Sequence, residues 1–184
     1  TNVVPSGEGC AAFAGLAVRT SPRMLIGEAR AVSDLWDAAR RRFGTLREDR
    51  PAQPVYELRA KPDPGGSGLR AATPDDLELL VVACAAAHQL ELGVDPLKRD
   101  VNGFRWRTRS QIEEGRSWLW EEDGTILFKA EASAWTPSAI QLQQVWTDPA
   151  VRRRGYASRA LRDLLSLLLE EVPAVTLFVR ADNA

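Results

Sequence analysis

Between Val145 and Leu161 the chain reads VWTDPAVRRRGYASRAL, and these residue types suit the task of holding a pyrophosphate. Gly155 and the small Ala157 let the backbone approach a ligand closely and turn its amides inward. The segment that follows has the pattern of an amphipathic helix, whose start offers unpaired N–H groups and partial positive charge. An anion site of this kind needs no particular side chain. Arg152, Arg153 and Arg154 add positive charge around it. An arginine-rich helix start also serves as an ordinary solvated cap, so the surrounding elements decide between the two uses.

Those elements are legible from Leu69 onward. Thr73-Pro74-Asp75-Asp76 combines a cap, a proline at the first helical position and acids in the first turn, ahead of the apolar run Leu77 to Ala87. Asp95-Pro96 opens a second helical stretch that carries Val101, Phe104, Trp106 and Ile112 and stops near Gly115. Trp118 to Trp120 and Ile126 to Ala132 read as strands joined by a turn at Asp123-Gly124. A turn at Thr136-Pro137-Ser138 leads to a third strand, Ile140 to Trp146, and the arginine loop follows it directly. The helix beyond the loop gathers Ala157, Ala160, Leu161, Leu164, Leu165 and Leu168 on one face, with Arg159, Arg162, Asp163, Ser166 and Glu170 largely on the other. After Pro173, Val175 to Val179 is a β-branched run suited to a buried strand.

Arg152, Gly155 and Ala157 fill the fixed positions of the pattern Arg or Gln, any two residues, Gly, any residue, Gly or Ala. Placed after a strand and opening a helix, this resembles the acetyl-CoA pyrophosphate loop of the GNAT N-acyltransferase superfamily, and the order of elements matches as well. The resemblance implies an α/β fold with a mixed, mostly antiparallel sheet flanked by helices, whose central strands splay apart where the loop begins. It implies acetyl-CoA as cosubstrate and acetyl transfer to an amine by direct attack. By position, Val145, Trp146 and Thr147 are expected on the pantetheine arm, and Arg153, Arg154, Gly155, Tyr156, Ala157 and Ser158 around the phosphates. Asn183, in LFVRADN, matches an asparagine that approaches the cofactor in the superfamily. A full domain of this kind continues with a helix, commonly carrying a tyrosine general acid, and two strands. The chain is therefore expected to be truncated at its C-terminus.

Acetyl transfer requires a neutral amine and a stabilised oxyanion. The resemblance assigns the oxyanion donor to backbone in the Val145 to Thr147 segment. Glu131, on the middle hairpin strand, is the first acidic candidate for the base, and Glu91, after the first helix, is the second. Each also fits a plain solvated glutamate. Gln141 sits where some members carry a strand glutamate, and an amide cannot take the proton. His88, the sole histidine, follows an alanine-rich helical face and reads as a partly buried helix residue. Trp106, Trp118, Trp120 and Trp135 suit either core or the wall of an acceptor pocket.

Lys and Arg number 24 against 25 Asp and Glu, a balance that argues against a general nucleic-acid binder. Cys10 and Cys84 are too few and too distant for a disulfide or zinc framework, and no metal is expected. No apolar run has the length of a membrane span and no signal peptide is evident, so a cytoplasmic location is expected. Lys61 to Gly68, KPDPGGSG, is nearly all breaker residues and reads as a linker. It divides residues 1–60 from residues 69–184. The first part holds helix candidates at Gly9 to Val18 and Ala29 to Phe43 and strands at Met24 to Gly27 and Pro54 to Leu58, a small α/β unit resembling the extra N-terminal domain of one GNAT subgroup. The resemblance implies an acceptor that is an amine-bearing small molecule or protein. The rival reading is a non-catalytic acyl-CoA sensor or interaction module on the same scaffold.

Overall fold

A computed structural model describes residues 2–50 and 53–179. The chain divides into two compact units, one running to Pro54 and one spanning Val55–Val179. In the first, β1 (Asn2–Val3) pairs in parallel with β2 (Met24–Leu25), and α1 (Ala14–Arg19) and α2 (Ala29–Ala39) pack around Cys10, Ala14, Ala17, Ala31, Leu35 and Ala39. Four alanines and a cysteine in a six-residue core mean short side chains and close approach of backbones. Trp36 stacks on Phe43 at 5.7 Å beyond the end of α2.

The second unit is a six-stranded sheet in the order β3-β8-β7-β6-β5-β4, made by β3 (Val55–Leu58), β4 (Arg70–Ala71), β5 (Ser117–Glu122), β6 (Thr125–Trp135), β7 (Ile140–Thr147) and β8 (Val175–Phe178). Every neighbouring pair is antiparallel except β7 with β8. The β5–β6 turn has Asp123 at φ 49° and Gly124 at φ 76°, the two positive values a tight hairpin turn needs.

One face of the sheet carries α3 (Leu77–Leu92), α4 (Pro96–Arg99) and α5 (Val101–Glu113) over Leu80, Cys84, Phe104, Ile112, Leu119 and Ile126. The other carries α6 (Tyr156–Glu171), which buries Ala160, Leu164 and Leu168 against Trp118, Trp120, Phe128 and Ala130. The helix face expected from periodicity is the one that packs. The pleat of β6 sends Phe128 and Ala130 to α6 and Lys129 and Glu131 to α3.

The strand read at Pro54 to Leu58 forms, but it belongs to this larger sheet. Val55, Tyr56, Glu57 and Leu58 lie opposite Phe178, Leu177, Thr176 and Val175. Such a partner, some 120 positions along the chain, leaves no mark in local periodicity.

The KPDPGGSG stretch holds no regular element, yet it is not free. Asp163 on α6 accepts from the Gly65 amide (2.7 Å), the Ser67 amide (2.7 Å) and the Ser67 hydroxyl. The Ser67 hydroxyl above all, with the backbone amides and against the effect of burial, holds the Asp163 carboxyl below the usual carboxylate range. Arg159 donates to the Gly65 and Gly66 carbonyls, Ser166 to the Pro62 carbonyl, and Lys61 pairs with Glu170 at 2.9 Å. The polar face of α6 is thus strapped.

The start of α3 is set by a capping box, in which Thr73 and Asp76 exchange side-chain and backbone hydrogen bonds. Arg70 grips Asp76 with two parallel bonds of 2.7 Å. That guanidinium first, then the Thr73 groups, outweighs burial and holds the Asp76 carboxyl well below the usual range. A lowered pKa contributes stability that is complete above the ordinary value near 4 and fades as pH falls below it. Asp76→Ala is expected to cost roughly 1–2 kcal/mol, read as a drop of several degrees in melting temperature. The deficit against wild type should shrink as scans move below about pH 4.

Candidate acyl-CoA site

The site forms where two central strands part. Parallel pairing of β7 with β8 runs through Ile140↔Val175, Gln141↔Thr176 and Leu142↔Leu177 and then stops. Strand β7 continues to Thr147, paired on its other side with β6. From Gln143 onward its edge toward β8 has no strand partner among the described residues. The parting coincides with a bulge. Lys129 lies opposite Trp146 and Glu131 opposite Gln143, so Gln144 and Val145 together face Ala130, and Gln144 takes φ 51°.

The loop that follows is held by its own side chains. Asp148 accepts from the Ala150 amide at 2.7 Å and caps the 3-10 turn Pro149–Val151. Arg152 Nε donates to the Thr147 carbonyl at 3.1 Å, closing the loop on the strand it leaves. Arg153 (φ 61°) and Gly155 (φ 84°) both turn left-handed, which curls successive amides toward one side. Gly155 is the N-cap of α6, and no side chain caps it. A Cβ at Gly155 would meet nothing within 4 Å, so a side chain there points into open space. Arg153, Arg154 and Ser158 are exposed, and Tyr156 and Ala157 partly buried. An open, uncapped helix start beside unpaired strand edge fits a pyrophosphate and an extended amide-bearing arm.

The three residues expected on that arm differ. Val145 is exposed, and Thr147 is half-buried. The Trp146 side chain turns toward α3, where it packs on the core of that face and lines a cleft of about 410 Å³ with Ala86, Gln89, Leu90 and Pro149. Only the backbone of Trp146 is left to face the parted edge. Asn183 lies outside the described residues.

Glu131 is not at this edge. It is buried beneath α3, where its Oε1 accepts from Lys129 Nζ at 2.7 Å and from Cys84 Sγ at 3.0 Å. Lys129 has no exposed surface. Burial works against its charge, but the Glu131 carboxylate beside it outweighs that and holds its pKa above the ordinary lysine value. Burial pushes the Cys84 thiol up to about 12, so it donates to the carboxylate as a neutral S–H. A glutamate buried and paired with a lysine in this way is poorly placed to take a proton from an incoming amine. The alternative reading of Glu131, a plain solvated glutamate, does not hold either, because the residue is buried. The missed signal lies in α3, whose LELLVVACAAA leaves little room for a polar face and implies cover over the strand beneath.

Glu91 stands differently. Gln144, the bulge residue, donates from Nε2 to Glu91 Oε2 at 3.0 Å, which ties the end of α3 to the point where β7 and β8 part. Gln141 donates to Ser133 Oγ at 3.0 Å. His88 makes an edge contact with Phe104 at 6.1 Å, as a helix packing residue does. Trp118 and Trp120 are core, Trp135 stacks on Trp118, and Trp106 is exposed. Among the described residues, no cluster of His, Cys, Asp and Glu could hold a metal, and no helix is long and apolar enough to cross a membrane.

Comparison with known proteins agrees with this geometry. The acetyltransferase (GNAT) family model matches residues 87–184, more than half of the chain, and the chain belongs to that family. A second model, a domain of unknown function (DUF4081), matches residues 1–80. Among solved structures, a predicted acetyltransferase from Clostridium acetobutylicum with acetyl-CoA superposes at TM-score 0.50 and 19% identity, over 62% of this chain and 82% of that one. A GNAT-family protein from Novosphingobium aromaticivorans gives 0.52 and 19%, over 72% of this chain and 54% of that one. A possible acetyltransferase from Clostridium difficile gives 0.51 and 17%, over 62% and 80%. At these identities the likeness is one of fold. No curated protein matches the chain.

Proposed function

We propose that this protein transfers an acetyl group from acetyl-CoA to an amine by direct attack. The observation that carries the proposal is the parting of β7 from β8 beside the uncapped start of α6. In this reading the free edge at Val145, Trp146 and Thr147 pairs with the pantetheine arm, the Trp146 contribution coming from backbone. Arg153, Arg154, Gly155, Tyr156, Ala157 and Ser158 surround the pyrophosphate, and Asn183 keeps its place by resemblance. Acetyl-CoA supplies an activated thioester. A backbone amide of the Val145 to Thr147 segment is the donor for the developing oxyanion.

For the base, the geometry favours Glu91 over Glu131. Glu91 is held at the bulge by Gln144, whereas Glu131 is buried and paired. Replacing Glu91 with Gln is expected to lower kcat about a hundredfold with KM for acetyl-CoA unchanged. Thioester cleavage against a panel of amines measures both. The domain division proposed is an N-terminal module followed by the acetyltransferase domain.

Calorimetric titration with acetyl-CoA tests the proposal as a whole. Micromolar binding with amine-dependent thioester cleavage supports it. Binding without cleavage across the panel favours the non-catalytic sensor, and absence of binding removes both.

A further inference from the structure

The stretch from Arg59 to Leu69 leaves β3 at one edge of the sheet and enters β4 at the opposite edge. Five strand spacings of about 4.8 Å separate those edges, roughly 24 Å. The twelve steps from Leu58 to Arg70 reach at most about 40 Å when fully extended. The chain therefore crosses the whole sheet on its way, and its hydrogen bonds show that it crosses on the α6 side.

Its contacts run the length of the helix. Glu170, Ser166, Asp163 and Arg159 meet Lys61, Pro62, Gly65 with Ser67, and Gly65 with Gly66 in turn. The closest approach is near the first turn. A Cβ at Gly65 would overlap the Arg159 carbonyl, and one at Gly68 would stand 2.7 Å from Trp120 Nε1. Trp120 carries the Arg159 guanidinium over its ring at 4.8 Å and meets the Tyr156 ring at 4.8 Å. A continuous set of contacts thus runs from Gly65 and Ser67 through Asp163, Arg159 and Trp120 to Tyr156, the first residue of the helix.

We infer that this strap is a positioning device for the cofactor loop, in which Asp163, Arg159 and Gly65 press the start of α6 against the sheet and fix its amides for the pyrophosphate. The inference rests on the acetyl-CoA reading above. Asp163 and Arg159 act through the helix start and touch no ligand. The strap explains why a glycine-rich segment lies on a helix: only Gly at 65 permits the approach to the Arg159 carbonyl.

The test compares wild type with Asp163→Ala, and with Gly65→Val, which acts from the strap side, in acetyl-CoA calorimetry, steady-state kinetics and thermal melting. A positioning strap raises Kd and KM for acetyl-CoA about tenfold in both variants, with kcat within twofold, at temperatures well below melting. Wild-type Kd and KM in folded variants, with only a lower melting temperature, overturn it and leave the strap structural. Should neither variant fold, Ser67→Ala, which removes one bond to Asp163, carries the same comparison with an expected change of two- to threefold. A wild type that binds no acetyl-CoA overturns the proposed function and this inference together. A wild type that binds, beside variants that bind equally well, overturns the strap alone.

Discussion

Gly155→Glu is expected to abolish measurable acetyl-CoA binding while leaving the protein folded. Gly155 sits at φ 84°, where a side chain costs about 1 kcal/mol. Arg153, two residues earlier, already bears a comparable conformation at φ 61°. No atom lies within 4 Å of a Cβ at this position, so the new side chain meets no steric barrier. Its carboxylate instead enters the space in front of the uncapped amides of α6, where it is itself attracted by the helix start. A unit-charge pair at 4 Å is worth about 4 kcal/mol at an effective dielectric near 20, and solvent exposure reduces that figure. The remaining repulsion, added to competition for the same amides, should weaken acetyl-CoA by at least about a hundredfold. Gly155→Ala carries the backbone strain without the charge and is expected to bind within a few-fold of wild type. Equal affinity in wild type and Gly155→Glu, read by calorimetry, would show that the ligand binds elsewhere.

The second large effect lies under α3. Lys129→Ala leaves the Glu131 carboxylate buried without its 2.7 Å partner, and Glu131→Ala leaves the fully buried ammonium alone. Each is expected to destabilise the fold by about 3–5 kcal/mol in urea titrations. The double variant Lys129→Met, Glu131→Leu removes both charges together, and its stability is expected near that of wild type. That variant also decides the role of Glu131. Retained acetyl transfer makes the glutamate a structural partner of Lys129, whereas a folded but inactive double variant would restore it as the base. The raised pKa of Lys129 gives the pair a pH signature. Its contribution is complete below the ordinary lysine value near 10.4 and is lost as pH rises through the higher folded value.

The contrast between these two places explains what could be read from the chain alone. The loop at Arg152 to Ala157 was legible because its chemistry is local: glycine at the cap, a small residue after it, and a helix whose leucines recur every third or fourth position. The hairpin turn at Asp123-Gly124 and the cap at Thr73 to Asp76 were legible for the same reason. The Arg70 grip on Asp76, the pairing of Lys129 with Glu131 beneath Cys84, and the strap on Asp163 were not. Each joins polar groups that local pattern assigns to solvent, and only the packing of distant segments brings them together. Strand β3 is legible as a strand, but its pairing with β8 is not, because four residues carry no information about their partner. The bridge from Gln144 to Glu91 depends on a bulge, and nothing in IQLQQVWT announces one.

The DUF4081 match runs to residue 80 and so takes in a strand, β3, that the acetyltransferase sheet uses as its border. A genetic exchange at the glycine-rich stretch, where sequence alone would cut, would carry β3 away with the N-terminal module. The recipient gene would encode a sheet whose β8 has lost its antiparallel neighbour and presents bare backbone to other chains. A transferable cassette has to begin before Val55.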